Sequence, residues 1–88
     1  MESVNGPLWV RVLAPTDGQV VATPSIEVRG EATAETILSI NDEILLVEND
    51  QAFTVTIPLE EGPNVIELVA SDYLGNEISM IFTVTYQP

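Results

Sequence analysis

Residues 52–71 read AFTVTIPLEEGPNVIELVAS, in which two runs of alternating apolar and polar residues lie on either side of a turn. An alternation with a period of two puts successive side chains on opposite faces, and is typical of a strand with one buried face. Between the runs, Glu61-Gly62-Pro63-Asn64 has the composition of a tight turn. This segment therefore predicts two strands, over residues 52–58 and 64–71, joined by a turn.

The same period continues through most of the chain. Further strands are predicted over residues 8–13, 25–32, 36–41, 43–48 and 77–86, with turn signals at the spacing of about 8–12 residues that a sandwich shows. The first, second and fifth predicted strands are expected in one sheet, and the other four in the second sheet. The prediction is an all-β, immunoglobulin-like, two-sheet antiparallel β-sandwich of about seven strands. Its expected boundaries are 1–7 (N-terminal linker), 8–86 (domain) and 87–88 (start of a C-terminal linker).

The composition excludes several classes of function. Fourteen Asp and Glu residues stand against two Arg and no Lys, so the formal net charge is −12, and there is no His or Cys. Histidine-activated nucleophiles, thiolate–zinc sites and lysine Schiff bases are therefore impossible. Nucleic-acid binding lacks the cations that neutralise phosphates. No apolar run approaches the ~18 residues of a membrane-spanning helix, so no direct membrane insertion is expected.

Two linked motifs resemble a known family. The first is Leu59-x-x-Gly62-x-Asn64-x-Ile66, and the second is Ala70-x-Asp72-x-x-Gly75-Asn76. Together with Leu13-Ala14-Pro15-Thr16-Asp17-Gly18 near the start, they resemble the bacterial Ig-like domains of secreted and cell-surface proteins, of the glucodextranase accessory-domain type. The resemblance covers residues 8–86. Asn41-Asp42 stands where that family usually has Asn-Gly, and Gln51-Ala52 where a Gly often precedes the Phe, so these two turns are expected to differ.

The resemblance implies a non-catalytic module of a larger extracellular or cell-surface protein. Relatives serve as spacers, adhesive units or accessory domains beside glycan-active enzymes, so the expected partners are neighbouring domains of the parent chain. The alternative is a ligand-binding module that takes a glycan or a protein. The first seven residues, MESVNGP, lack the basic and apolar regions of a signal peptide. Either the chain stays inside the cell or it is a segment of a longer secreted protein, and the resemblance favours the second.

The acidic side chains suggest two kinds of chemistry, neither of which is favoured. Asp72 and Asn76, with Asp17 or Asp50 on a neighbouring loop, offer the oxygen ligands that Ca²⁺ prefers. The simpler interpretation is that Asp72 and Asn76 bond to the backbone of their own turn, and no twelve-residue calcium loop is present. These three residues, Asp17, Asp72 and Asn76, are therefore weak calcium candidates, and no metal or cofactor is expected.

Paired carboxylates are the only groups that could support acid–base catalysis. Glu60 with Glu61, or Glu31 with Glu35, would be the candidates for glycoside hydrolysis. So small a sandwich has little interior with which to shape a cleft between two carboxyl groups. The sequence therefore predicts no catalytic residues and no enzyme.

The outward-facing positions of the second sheet suggest an interface. If alternation holds, five apolar side chains face outward there: Ile37, Ile44, Leu46, Val69 and Ile81. A contiguous exposed apolar patch commonly marks a partner, which could be a neighbouring domain, a second copy or a protein ligand. Two alternatives remain open, namely that these residues only reflect β-propensity, or that a bulge shifts the register and turns them inward.

The aromatic residues are few and scattered. Trp9 is expected on an outer face or against the linker, where it could pack on a preceding domain and join the interface. Tyr73 lies at a predicted loop tip and is the candidate ligand contact. A glycan platform needs two or three coplanar rings, and Trp9, Tyr73 and Tyr86 lie on different elements. Arg11 and Arg29 are each expected to form cross-strand ion pairs with nearby acids.

Overall fold

The computed structural model describes residues 2–5, 8–49 and 51–88. Within these residues the chain forms nine strands and no helix, so none that could cross a membrane. The strands are β1 (Glu2–Asn5), β2 (Leu8–Ala14), β3 (Gln19–Val21), β4 (Ser25–Ala32), β5 (Thr36–Ile40), β6 (Glu43–Val47), β7 (Ala52–Pro58), β8 (Gly62–Ser71) and β9 (Glu77–Tyr86).

The strands form two sheets, with the order β1-β2-β4-β7 in one and β3-β9-β8-β5-β6 in the other. All seven predicted strands are present, with ends within two residues of those predicted. Their division between the two sheets is also the predicted one. The all-β sandwich is therefore confirmed.

Two short strands were not predicted. Glu2–Asn5, which the sequence placed in a linker, pairs with β2 as an edge strand. The strand β3 pairs in parallel with β9, so the sandwich is not wholly antiparallel. At three residues, β3 is too short to show a period, and its neighbours Asp17 and Gly18 had the composition of a turn. The other residues of the expected linker (1, 6 and 7) and Asp50 lie outside the described residues.

The core consists of the inward-facing apolar side chains of both sheets. Among the most deeply buried are Leu8, Val10, Val28, Leu38, Ile40, Val47, Ile66, Leu68, Phe82 and Val84. Gly30 is buried among them because the ring of Phe53, its neighbour on β7, packs directly over it. Alternation therefore holds in both sheets, and the outward positions are those that the sequence predicted.

The sandwich is elongated, with extents of 42 × 19 × 19 Å. One end, which we name the Leu8 end, carries the start of β2 and the turn between β8 and β9. The opposite end, the Tyr86 end, carries the last residues of β9 and the turn between β7 and β8. Leu8, at the start of β2, and Tyr86, at the end of β9, therefore lie at opposite ends of the long axis of the sandwich.

Candidate functional site

The β8–β9 turn, residues 72–76, is held by its own side chains. Asp72 Oδ1 accepts hydrogen bonds from the backbone N–H groups of Leu74 (3.0 Å) and Asn76 (2.9 Å). Asn76 Nδ2 donates to Asp72 Oδ2 at 2.9 Å. The Asn76 side chain and then the backbone amides lower the pKa of Asp72. Both carboxylate oxygens are engaged within the turn, as the simpler interpretation of the sequence expected.

The asparagine of the first motif has the same kind of role. Asn64 Oδ1 accepts from the backbone N–H of Glu60 at 2.9 Å. Its Nδ2 donates to the carbonyl oxygens of Glu60 (2.9 Å), Gly62 (3.0 Å) and Val84 (3.2 Å). The side chain thereby ties the turn between the two sheets to β9. The motif residues Asn64, Asp72 and Asn76 all stabilise turns.

The structure does not bring Asp17 next to Asp72. Asp17 Oδ1 accepts a hydrogen bond from the backbone N–H of Thr83 at 2.8 Å. Thr83 lies six residues along β9 from Glu77, which follows the Asp72–Asn76 turn, and this is about 20 Å of strand. Over the described ranges, no group of three or more His, Cys, Asp or Glu residues is placed to hold a metal ion.

Neither candidate acid pair has both of its members at the open groove beside Leu46 or at the one beside Leu59. Glu35 but not Glu31 borders the first of these grooves. Glu31 forms an ion pair with Arg11 at 3.5 Å across the β2–β4 pair. Glu60 and Glu61 are both exposed, and Glu60 but not Glu61 borders an open groove at the Tyr86 end.

The ion pairs differ in part from the prediction. Arg11–Glu31 is the expected cross-strand pair, whereas Arg29 pairs with Glu27 on its own strand at 3.5 Å. Residues two apart on a strand share a face, so Glu27 reaches Arg29 along β4 itself and no residue of a neighbouring strand is needed. All four side chains are roughly half exposed, and such pairs contribute about 0–1 kcal/mol.

The outer apolar surface consists of Ile37, Ile44, Leu46, Val69 and Ile81 on the five-stranded sheet. Four of them are exposed by half or more (Ile44 by 74%), and Val69 is half-buried. Ile37 and Leu46 lie directly opposite each other on β5 and β6. Polar residues interrupt the surface, since Ser39 lies between Ile44 and Val69 and Glu67 lies opposite Ile81.

Two further exposed apolar residues of the five-stranded sheet were not predicted from the sequence. Val65 has the same parity as Val69 on β8 and is 64% exposed, so alternation alone could have found it. Val20 lies on β3, which was not predicted.

Comparison with known families supplies the identification. The sequence matches the family described as glucodextranase, domain B, over residues 9–87, which is nearly the whole chain. The chain belongs to the glucodextranase domain B family. Glucodextranase domain B is a non-catalytic accessory domain of a larger enzyme. Comparison with curated proteins found no match.

Trp9 does not join the outer apolar surface. It lies on the other sheet, on the face opposite to its buried neighbours Leu8 and Val10, and is half-buried. Its backbone N–H donates to Thr33 Oγ1 at 2.9 Å, and its carbonyl accepts from the Thr33 N–H at 3.1 Å. The start of β2 is therefore tied to the end of β4. The sequence placed Trp9 on the first predicted strand, in the sheet without the other five residues, so its contact with a preceding domain is a separate prediction and stays one.

The three aromatic rings considered for ligand binding, Trp9, Tyr73 and Tyr86, lie on different elements, as the sequence predicted. Tyr73 is 83% exposed at the Leu8 end, beside Leu74 at 65%. Tyr86 is half-buried at the opposite end. The candidate ligand contact Tyr73 thus stands on a turn that the Asp72 hydrogen bonds hold rigid, without a second ring beside it on the same turn.

Proposed function

We propose that this domain is a non-catalytic spacer module within a larger secreted or cell-surface bacterial protein, where it holds neighbouring domains at a fixed distance. Membership of an accessory-domain family supports this proposal. The observation that carries it is the parallel pairing of β3 with β9. The first connection of the sandwich is thereby bonded to its last strand.

Parallel pairing at this position resists extension. A force that pulls the Leu8 end away from the Tyr86 end moves β3 and β9 past each other along their length. All hydrogen bonds between parallel strands pulled in this way carry the load together. Besides the ladder itself, three bonds join the two segments: Gly18 N–H to the Thr83 carbonyl (2.7 Å), Thr83 N–H to Asp17 Oδ1 (2.8 Å) and Gln87 N–H to the Val21 carbonyl (2.8 Å).

The shape and charge of the domain are consistent with a spacer. Its length of 42 Å is more than twice its width of 19 Å, and the family-matched region begins and finishes at opposite ends. The net charge of −12 repels nucleic acid and anionic lipid. Neighbouring domains of the same chain are therefore the partners that we propose.

Force spectroscopy on concatenated copies tests the spacer function. The Val21 carbonyl accepts from Gln87, so the backbone of Val21 faces β9, and that of Val20 faces away. Val21→Pro removes a donor from the clamp, and we expect it to lower the unfolding force more than Val20→Pro does. Equal unfolding forces for the two variants, at equal thermal stability, would contradict a mechanical role for the β3–β9 pair.

The exposed tip of the β8–β9 turn favours a second candidate function, the binding of a glycan or protein ligand. Tyr73 and Leu74 stand out from a turn fixed by Asp72, so little conformational entropy would be lost on binding. Titration with oligosaccharides, followed by the fluorescence of Trp9 at the same end, tests this function. Binding that Tyr73→Ala abolishes and Tyr73→Phe retains would support it, and an unchanged signal would exclude it for the sugars used.

A further inference from the structure

The four sheet edges of the sandwich are not equally protected. Edge strands are usually shielded by Pro, by Lys, by bulges or by being very short. Among the edges whose side chains the structure describes, β3 has only three residues, and β7 carries Thr54 and Thr56 outward and ends at Pro58. In contrast, β6 reads EILLV, has no Pro, Lys or bulge, and pairs with β5 alone. Of these edges, β6 is the one that combines an unprotected backbone with exposed apolar side chains, and we name it the open edge.

The backbone direction of β6 follows from one hydrogen bond. The Val47 carbonyl accepts from the Glu35 N–H at 2.7 Å, on the β5 side. Because backbone groups alternate in direction along an antiparallel strand, Leu45 and Glu43 also face β5. The N–H and C=O groups of Ile44 and Leu46 therefore point to the open edge, beyond which the sheet order has no strand. These groups offer an added strand two N–H donors and two C=O acceptors, spaced as they are along a β-strand.

The side chains of the same two residues are apolar and exposed. Ile44 is 74% and Leu46 57% exposed on the outer face, and Ile37 lies directly opposite Leu46 on β5. A strand added at the edge would place its own outward side chains beside Ile44 and Leu46. Cross-strand contacts of this kind stabilise sheets, and apolar pairs are among the favourable ones.

Acidic residues lie at both ends of β6. Asp42 and Glu43 are exposed at its start, and Glu48 is exposed just after its end. An antiparallel pairing of two copies through β6 would bring Glu48 of each copy towards Asp42 and Glu43 of the other. With a net charge of −12 on each copy, this repulsion disfavours a second copy. The same acids attract a segment with a cation at each end.

We propose that the open edge of β6 binds an extended polypeptide segment that adds to the five-stranded sheet as a further strand. The segment has apolar residues at alternate positions, which lie beside Ile44 and Leu46, and Lys or Arg at both ends on the same face, which pair with Asp42 and Glu48. Main-chain hydrogen bonds to Ile44 and Leu46 provide affinity, and the flanking acids provide selectivity. This function goes beyond the spacer role, which needs only the β3–β9 pair.

A peptide titration followed by NMR tests the proposal. The probe is the capped peptide Lys-Thr-Val-Thr-Val-Thr-Lys, added to the ¹⁵N-labelled domain. We expect saturable shifts and slowed hydrogen exchange at the amides of Ile44 and Leu46, and a smaller change at Leu45. Affinity should fall at least about fivefold when the salt is raised from about 50 to about 500 mM, because the end charges are exposed. The same peptide with Glu in place of Lys should not bind.

A charge-swap variant shows whether the flanking acids select the segment. The double variant Asp42→Lys with Glu48→Lys should lose the Lys peptide and bind the Glu peptide, an outcome that misfolding cannot produce. The matched control, Glu61→Lys with Glu77→Lys, makes the same charge change at exposed positions away from β6 and should keep the preference of the native domain.

Several results would overturn the proposal. They are equal binding of the two peptides, shifts that map to β7 or to the Tyr73 turn, or no saturation up to about 5 mM peptide. Shifts at Ile44 and Leu46 that depend on domain concentration without peptide would make a second copy the occupant instead. None of these outcomes bears on the spacer function, because the force measurement does not involve β6.

Discussion

At the scale of single residues, two glycines are required for different reasons. Gly75 adopts a φ of 89°, which side chains with a Cβ rarely adopt, and has open space around it. Gly30 has no such φ, but an added Cβ would meet the Arg11 carbonyl and would lie 2.6 Å from the Phe53 ring. The backbone at Gly75 needs conformational freedom, whereas at Gly30 it needs the absence of a side chain.

The substitution Gly30→Ala is expected to destabilise the domain by about 2 kcal/mol, because the new methyl group forces β2 and Phe53 to shift. Urea denaturation measures the free energy of unfolding. The control Gly75→Ala meets no atom and is expected to cost about 1 kcal/mol through its φ alone. A gain in stability for Gly30→Ala, as β-propensity alone would suggest, would contradict the close contact.

Asp72 makes a pH-dependent contribution to stability. Hydrogen bonds from Asn76 and the backbone lower its pKa below the ordinary 3.8 in the folded state. A lowered folded-state pKa gives stability that is fully present above the unfolded-state pKa and is lost as the pH falls through the folded-state pKa. Asp72→Asn should therefore melt at a lower temperature than the native domain at neutral pH, and the difference should shrink below about pH 3.8.

Thermal melts from neutral to acid pH measure the Asp72 effect. Asp42→Asn removes the same charge from another turn and controls for the change in net charge. A difference between native and Asp72→Asn domains that stays constant down to the lowest pH would show that the turn does not depend on the ionised carboxylate.

At the scale of elements, alternation determined seven strands and the turns determined how they connect. The β7–β8 connection crosses from one sheet to the other, and Asn64 makes it rigid through bonds to the turn and to β9. Its side chain accepts once and donates to three carbonyl oxygens. An asparagine at this position can satisfy both kinds of partner, which neither Asp nor Ala can do.

We expect Asn64→Ala to destabilise the domain by about 2 kcal/mol, because partly buried backbone groups lose their partner. Asn64→Asp should be worse than Asn64→Ala, since a carboxylate would face three carbonyl oxygens. Denaturant unfolding measures both, with the exposed Asn49→Ala as a control expected within about 0.5 kcal/mol of the native domain. An Asn64→Asp variant as stable as the native domain would contradict this role.

At the scale of the whole molecule, the net charge of −12 causes repulsion between acidic side chains over the entire surface. With only two Arg, each engaged in a surface ion pair, most of the acids repel one another across the sandwich. Self-repulsion of this kind favours expanded states and keeps copies of the domain apart.

Salt should therefore stabilise the folded domain. Raising NaCl from about 20 to about 500 mM is expected to raise the melting temperature by about 4 °C, equivalent to about 1 kcal/mol. A variant in which the exposed Glu43, Glu60, Glu61 and Glu77 are all changed to Gln should respond less to salt. A melting temperature that is independent of salt in the native domain would show that the acids are already compensated within the fold.

The sequence by itself determined seven of the nine strands and the buried face of each, because these depend on a local period of two. The division of those seven between two sheets followed from the strand order of an immunoglobulin-like sandwich. The sequence also identified the exposed residues Ile37, Ile44, Leu46 and Ile81, since parity along a strand is a local property. Only the tertiary structure decided which strands lie side by side. The parallel β3–β9 pair, the bond from Thr83 to Asp17 and the open edge of β6 join or separate residues far apart in the chain. No local period encodes such contacts, because chain topology sets which distant backbone groups meet.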